Sequence, residues 1–446
     1  MIVLPVYKPQ EYQTKLTREQ KQAVGLLSVG TFLEYFDLML YIHMAVLLNE
    51  LFFPKADAHI AQLLSAFAFC STYLLRPVGA IIFGYIGDTL GRKHTVIITT
   101  VMMAISCIVM ASLPTYAQIG LTASYTITVC RIVQGISSMG EMVGAQVYLT
   151  ETIKRPIQYA AVSFASNFTA VGSLAALGVA TLATSSLSPL NWRLAFIIGA
   201  GIALVGSYAR KALRETPEFA DARRRLVIGK ATSTKKVNIK TIIAYLGIEC
   251  AYPVWFYIAY VYLSTVLKNK FGLTHHEVIT NNLYVVIAGS LSGFYQCILV
   301  RTIHPFKILN IKLVVSYILA LAFVLIDYMN SPIQIMILQM CIIIFQTSSF
   351  PAMSIFFKHF PVLQRFKCAT ITNAISRTLM SIVTTFGIIY LVKYCGYFGI
   401  SIVVFPMLIG YTIALRYFQK LEKINNNPEK MKTDDTFDNK NQNPVY

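Results

Sequence analysis

Long apolar runs separated by short polar segments recur over most of the chain. A run of about 18 or more apolar residues is what a helix needs to cross the hydrocarbon core of a bilayer, whereas outer-membrane barrel strands are about 10 residues long and alternate in polarity. The pattern therefore predicts spanning helices and excludes a barrel. Cutting at the polar punctuation gives candidate spans at residues 23–49, 61–86, 95–113, 120–147, 157–183, 191–211, 239–267, 278–300, 308–327, 333–357, 367–391 and 396–418, about twelve in all. At about 1.5 Å per residue each reaches about 30 Å.

Composition agrees: 56% of the 446 residues are hydrophobic and 13% charged, against about 25% charged in average soluble domains. The excess of 38 Lys+Arg over 20 Asp+Glu gives a formal charge of +18. In a soluble protein that would suggest a nucleic-acid partner. Here the basic residues sit in short loops, so the expected surroundings are membrane lipid and not nucleic acid. Arg92 with Lys93, Lys154 with Arg155, Arg301 with Lys307, Lys358, Arg365 with Lys367, and Arg416 with Lys420 occupy alternate loops, while the opposite loops carry Lys55, Lys268, Lys270 and Lys393. The richer loops are predicted to face the cytoplasm, which puts both termini there as well.

Residues 1–22 are polar and form a cytoplasmic leading segment without a signal-peptide core. Residues 212–238 are the longest and most basic interruption and divide the spans into two sets of about six, 23–211 and 239–418, so they read as a linker. Residues 419–446, rich in Asn, Lys and Asp, are expected to form a disordered cytoplasmic tail. The eight cysteines lie singly, mostly inside apolar spans, without metal-site spacing, and read as small buried hydrophobes.

The most specific local pattern lies between the second and third spans, where Gly84, Gly87, Asp88, Gly91, Arg92 and Lys93 follow Arg76, Pro77 and Gly79. Glycines permit a tight turn, Asp88 suits exposed backbone donors at the next helix start, and the basic pair anchors the cytoplasmic side. This stretch resembles the signature G-x-x-x-D-x-x-G-R-[RK] between helices 2 and 3 of the major facilitator superfamily. The likeness continues through Gly30, Thr31, Glu34, Tyr35, Asp37 and Tyr41. It runs on through Cys130, Arg131, Gln134, Gly135, Gly140, Glu141, Gly144 and Ala145, and through residues 214–219 (Arg214, Glu215, Thr216, Pro217, Glu218, Phe219). These look like the metabolite:proton symporter branch, which includes proline/betaine, citrate, 2-oxoglutarate and shikimate transporters. The match covers roughly residues 28–220; later, mainly Phe360, Pro361 and Arg365 resemble it, and the second half is assigned by topology. Thr89 replaces a basic residue, Met139, Met142 and Val143 replace Gly, Trp and Gly, and the loop holding Arg301 and Lys307 lacks the Asp and Gly pattern. The resemblance implies an all-α fold of two pseudo-symmetric six-helix bundles in a bacterial inner membrane.

Within the spans, ionisable residues are costly, about 2.5–3.5 kcal/mol each on insertion scales, and mark pathways or partners. Glu34, Asp37 and Tyr41 fall on one helix face. Arg131, Gln134, Ser138 and Glu141 share a sector of about 80°, as do Thr370, Asn373, Arg377, Ser381 and Thr384. Glu34, Asp37, Glu141 and Glu249 are the candidates for proton coupling. Arg131, Gln134, Tyr41, Asn373 and Arg377 are those for substrate contact. Helix-packing carboxylates and structural ion pairs are the competing readings. Tyr35, Phe36, Tyr41, Trp255 and Tyr257 are available for cation-π contact with a quaternary ammonium, or for plain packing. Ser163, Ser166, Asn167, Gly172, Ser173, Gly289 and Gly293 suit close helix packing.

There is no phosphate-binding G-x-x-x-x-G-K-[ST] loop and no H-E-x-x-H zinc motif, and the seven His are scattered. The expectation is a carrier and not an enzyme, with no cofactor or metal and with a monomer sufficient. Its predicted partners are protons and a small zwitterion or carboxylate, with proline or glycine betaine ahead of a di- or tricarboxylate. Alternatives are a channel-like facilitator or a non-transporting membrane sensor on the same fold.

Overall fold

The computed structural model describes residues 13–53, 75–184, 192–227 and 237–425. Among them are α1 (Arg18–Phe52), α2 (Arg76–Thr89), α3 (Arg92–Ser112), α4 (Leu121–Thr152), α5 (Ile157–Thr184) and α6 (Trp192–Arg210). A short helix, α7 (Pro217–Val227), lies in the expected linker. The second set is α8 (Ile239–Phe271), α9 (His275–Leu299), α10 (Pro305–Tyr328), α11 (Pro332–Phe345), α12 (Met353–Lys358), α13 (Val362–Cys395) and α14 (Phe398–Asn425). Among the described residues nine helices are long and apolar enough to cross a membrane, and there is no strand. Cys70, Lys55 and most of the expected span 61–86 fall outside the described residues.

Local chemistry sets the helix ends. Thr274 and Glu277 form a capping box at the start of α9, and Ser331 and Gln334 form one at α11, where Pro332 needs no donor. Gly272 closes α8 in the left-handed conformation at φ +68. Between α2 and α3 the chain reverses at Gly91, φ +112, a conformation closed to side-chain-bearing residues.

α1 packs chiefly on α5, α3 on α6 and α4, and α2 on α4; in the second set α14 holds α8, α10 and α13 together. The most extensive crossings between the sets run α2 along α13 and α5 along α9. The outward faces are apolar, with Val205 71% and Phe386 69% exposed, as suits contact with acyl chains and not water.

Two expectations are corrected. Residues 333–357 do not form one helix: α11 stops at Phe345 and a non-helical segment precedes α12. Pro351 restricts the residue before it and donates no hydrogen bond, and the opened segment is satisfied from elsewhere. Trp255 Nε1 donates to Thr347 Oγ1 at 2.9 Å, and the Tyr411 hydroxyl donates to the Ser348 carbonyl at 2.7 Å. α8 is also irregular, with a π-helical turn at Tyr257–Tyr262 just beyond Pro253. Finally, the chain does not become a tail at 419, because α14 continues to Asn425.

Candidate functional site

Two clusters of buried charge lie on the seam between the sets. The first is at the end carrying the basic loops. Arg92, with no side-chain exposure, grips Glu151 bidentately through two bonds of 2.9 Å and donates to the carbonyls of Gly87 at 2.7 Å and of Val362, across the seam, at 2.6 Å. Arg365 of α13 donates to the same Glu151 at 3.0 Å and to Glu218 of α7 at 2.7 Å. Thr216 adds a hydroxyl to Glu151 at 2.6 Å. Glu151 thus receives two arginines, one of them bidentately, the geometry in which charge-assisted bonds are strongest.

Asp88 differs from expectation. It does not serve the start of the following helix; its oxygens accept the backbone N–H groups of Phe366 at 3.2 Å and Lys367 at 2.9 Å, in the second turn of α13. The start of α3 is served by Glu215, which accepts from the N–H groups of Arg92 at 3.0 Å and Lys93 at 3.3 Å. The reason is geometric: Gly91 turns α3 away, so the last turn of α2 meets the opposite set. Arg92 also pairs with Asp88 at 3.2 Å. Burial pushes the Asp88 carboxyl up to about 7, although Arg92 and the two backbone donors pull it down. Gly84 passes against Lys367 and Thr370 of α13, and the Lys93 ammonium donates to the Lys211 carbonyl at 3.0 Å. A second tie lies nearby, where Arg155 pairs with Glu422 of α14 and His359 stands 3.4 Å from the same carboxylate.

The second cluster lies deeper. Asp37 accepts from Gln134 Nε2 at 2.9 Å and Arg131 at 3.5 Å, and Cys107 Sγ donates to it at 3.4 Å. Arg131 also donates to Gln134 Oε1 at 2.7 Å, so the expected α4 stripe exists and closes on α1. Glu141 does not join Arg131. It is paired with Arg210 at the end of α6 and accepts from Thr99 at 2.8 Å and Thr100 at 2.9 Å. A Cβ on Gly30 would fall 1.6 Å from Arg210 Nη2, so only glycine lets this pair pass α1.

Glu34 is 2% exposed, and neither of its oxygens meets a donor at hydrogen-bonding geometry, although the Met142 backbone N–H is near enough to act on it. The charges that act on it are Arg76 of α2, Arg377 of α13 and Glu141. Arg377 is half-buried, donates to the Tyr35 hydroxyl at 3.2 Å and stacks over the Tyr252 ring at 5.3 Å. It also feels Glu249, which accepts from Asn373 at 2.6 Å while its other oxygen lacks a donor at hydrogen-bonding geometry. Arg377 therefore stands between one carboxylate of each set.

Of the expected aromatics, Trp255 is fully buried and hydrogen-bonded and Phe36 stacks on Phe32, so both belong to the core. Tyr35 stays at the seam, where its hydroxyl accepts from Arg377. The Tyr41 side chain lies outside the described residues. Sequence reasoning missed Arg210, Glu151 and Glu422. Arg210 and Glu422 look like ordinary loop-end charges, and only the Thr99, Thr100 and Glu141 geometry exposes the role of Arg210. Among the described residues no group of His, Cys, Asp and Glu is arranged to hold a metal.

The sequence profile of the Major Facilitator Superfamily matches residues 27–388. The proline/betaine transporter of Salmonella typhimurium is 30% identical over 269 residues, covering 56% of this chain and 53% of the relative. The chain thus spans about half the length of the curated relatives it matches. The fold is similar to that of the proton:xylose symporter XylE bound to 6-bromo-6-deoxy-D-glucose, with TM-score 0.70 at 18% identity over 90% of this chain and 95% of that one. It is also similar to the transporter FucP in the outward conformation, with TM-score 0.65 at 14% identity over 90% and 99% of the two chains. Relatives and fold neighbours are transporters and not enzymes, and the apolar helices place the chain in a bacterial inner membrane as a multi-pass protein. The chain belongs to the major facilitator superfamily.

Proposed function

We propose that the protein is a proton-coupled symporter of a small zwitterionic or carboxylate solute, working by alternating access, with proline or glycine betaine the first candidate. The observation that carries this reading is Glu34, a buried carboxylate without hydrogen bonds, set between Arg76 of its own set and Arg377 of the other. A carboxylate in that position is favoured as the ion by nearby cations, so Glu34 and an arriving solute carboxylate compete for the same guanidinium. Protonation of Glu34 frees Arg377 to bind the solute carboxylate, and Tyr35 and Tyr252 offer ring faces to its ammonium. Each ligand then favours the state loaded with the other.

The proposed architecture is two six-helix sets, 23–211 and 239–418, joined by residues 212–238, with both termini cytoplasmic. In that orientation the clamp of Asp88, Arg92, Glu151 and Arg365 shuts the cytoplasmic end. An inside-negative potential then drives the proton inward with about 2.3 kcal/mol per 100 mV. Asp37, Glu141 and Glu249 act as supporting members, Arg131, Gln134 and Asn373 hold them, and a monomer contains every part.

A second substrate class, a di- or tricarboxylate such as citrate or 2-oxoglutarate, is favoured by one observation: two guanidiniums, Arg76 and Arg377, act on the Glu34 carboxylate. Uptake of radiolabelled proline, betaine and citrate into vesicles tests the assignment. The expected result is accumulation of one of them that needs an inward proton gradient. Flux that is equal with and without the gradient removes the symport reading, and movement without counterflow identifies a facilitator.

A further inference from the structure

A cleft of about 560 Å³ opens at the basic-loop end, on the α5 and α9 side of the seam. Lys15, Leu16 and Lys21 form one wall, Pro156 and Ile157 a second, and Arg301 the third. The first wall is held in place by backbone pairing and one side-chain bond: Gln13 N–H donates to the Arg155 carbonyl at 2.7 Å, Ile157 N–H to the Gln13 carbonyl at 3.3 Å, and the Gln20 side-chain Nε2 to the Thr152 carbonyl at 3.0 Å. Arg301 follows α9 and comes from the other helix set.

Among the described residues the lining holds three cations and no carboxylate. Acidic residues on neighbouring elements are engaged elsewhere, Glu19 with Arg214 at 3.4 Å and Glu422 with Arg155 and His359. Like charges gathered without counterions repel, and an anion relieves that repulsion. The cleft lies at the level where α1 and α5 begin and α9 ends, and Leu16, Pro156 and Ile157 give it an apolar side. Ile298, one turn before Arg301, is 65% exposed, so an acyl chain has an apolar track leading away from the cations.

We propose that this cleft binds the phosphate headgroup of an anionic phospholipid. Because Lys15 and Lys21 belong to one helix set and Arg301 to the other, a bound headgroup bridges the seam and favours the state in which this end is shut. Neither the solute nor proton coupling enters this inference.

The full chain in neutral detergent, titrated with short-chain phosphatidylglycerol, phosphatidylcholine or inorganic phosphate, gives the test through its Tm. Phosphatidylglycerol should raise Tm saturably and phosphatidylcholine should not. Removing all three charges (Lys15→Gln, Lys21→Gln, Arg301→Gln) should raise the half-saturating concentration about a hundredfold, at about fivefold per charge. All three residues are exposed, so the variant keeps its fold. An equal response to phosphatidylcholine, or an unchanged response in the triple variant, overturns the proposal. A full shift with inorganic phosphate alone overturns the lipid as occupant in favour of a free anion. Spin labels placed on the two sets at this end read the bridge: phosphatidylglycerol should enrich the short distance in the parent protein and not in Arg301→Gln, and an unchanged distribution in the parent overturns bridging.

Discussion

The two buried charge clusters use the same residue types in opposite ways. At the basic-loop end every carboxylate is served: Glu151 by two arginines and a threonine, Asp88 by Arg92 and two backbone donors, Glu215 by two backbone donors. Deeper along the seam Asp37 and Glu141 are served as fully, but Glu34 meets no donor at hydrogen-bonding geometry and Glu249 meets one. A buried carboxylate gripped by two arginines, as Glu151 is, is fixed, because removing one partner leaves an uncompensated charge. One that meets cations through their charge and not through hydrogen bonds changes protonation at smaller cost. The donor set, and not burial alone, separates Glu151 from Glu34.

That contrast predicts a graded series. Arg92→Ala takes from Glu151 its bidentate partner and from Asp88 its cation, and should cost about 3–5 kcal/mol in thermal or denaturant unfolding, with the basic-loop end becoming accessible to a thiol reagent through an introduced cysteine. Glu141→Leu, which leaves the Arg210 guanidinium buried without its carboxylate, should cost about 2–4 kcal/mol by the same measurement.

Asp88 supplies a pH effect. Its carboxyl is pushed up to about 7 in the closed end from an ordinary 3.8, so closing takes up a proton, and closure weakens as pH rises between those values. Moving from pH 8 to pH 6 should favour closure about tenfold in a cross-seam distance measurement, and Asp88→Asn should remove that dependence. The smallest change in stability belongs to Glu34→Gln, within about 1 kcal/mol of the parent in either direction, because no hydrogen bond is lost. A loss as large as that of Glu141→Leu would erase the distinction between the clusters.

Much of this was legible in the chain. Apolar run length gave the helices, and the Gly84 to Lys93 pattern with residues 214–219 located the clamp, because glycine turns and buried ion pairs demand those residue types at those offsets. The partners were less legible. Asp88 was expected to cap the next helix but reaches α13, and Glu141 was expected near Arg131 but meets Arg210. Both errors have one cause: a helix face shows which residues point the same way, not which helix lies opposite. The break after Phe345 was foreshadowed by Thr347, Ser348, Ser349 and Pro351, but their hydrophobic flanks hid it. The seven extra residues of α14 were masked by polar composition, since Glu422 is held by Arg155 and His359 and not by an apolar face.

The central claim, that Glu34 is the proton-dependent member of the seam, is tested by measuring solute movement in vesicles by Glu34→Gln in two modes. Gradient-driven accumulation should fall at least tenfold while solute-for-solute counterflow persists near the parent rate. Equal loss of both modes, or full accumulation by the variant, would contradict the account.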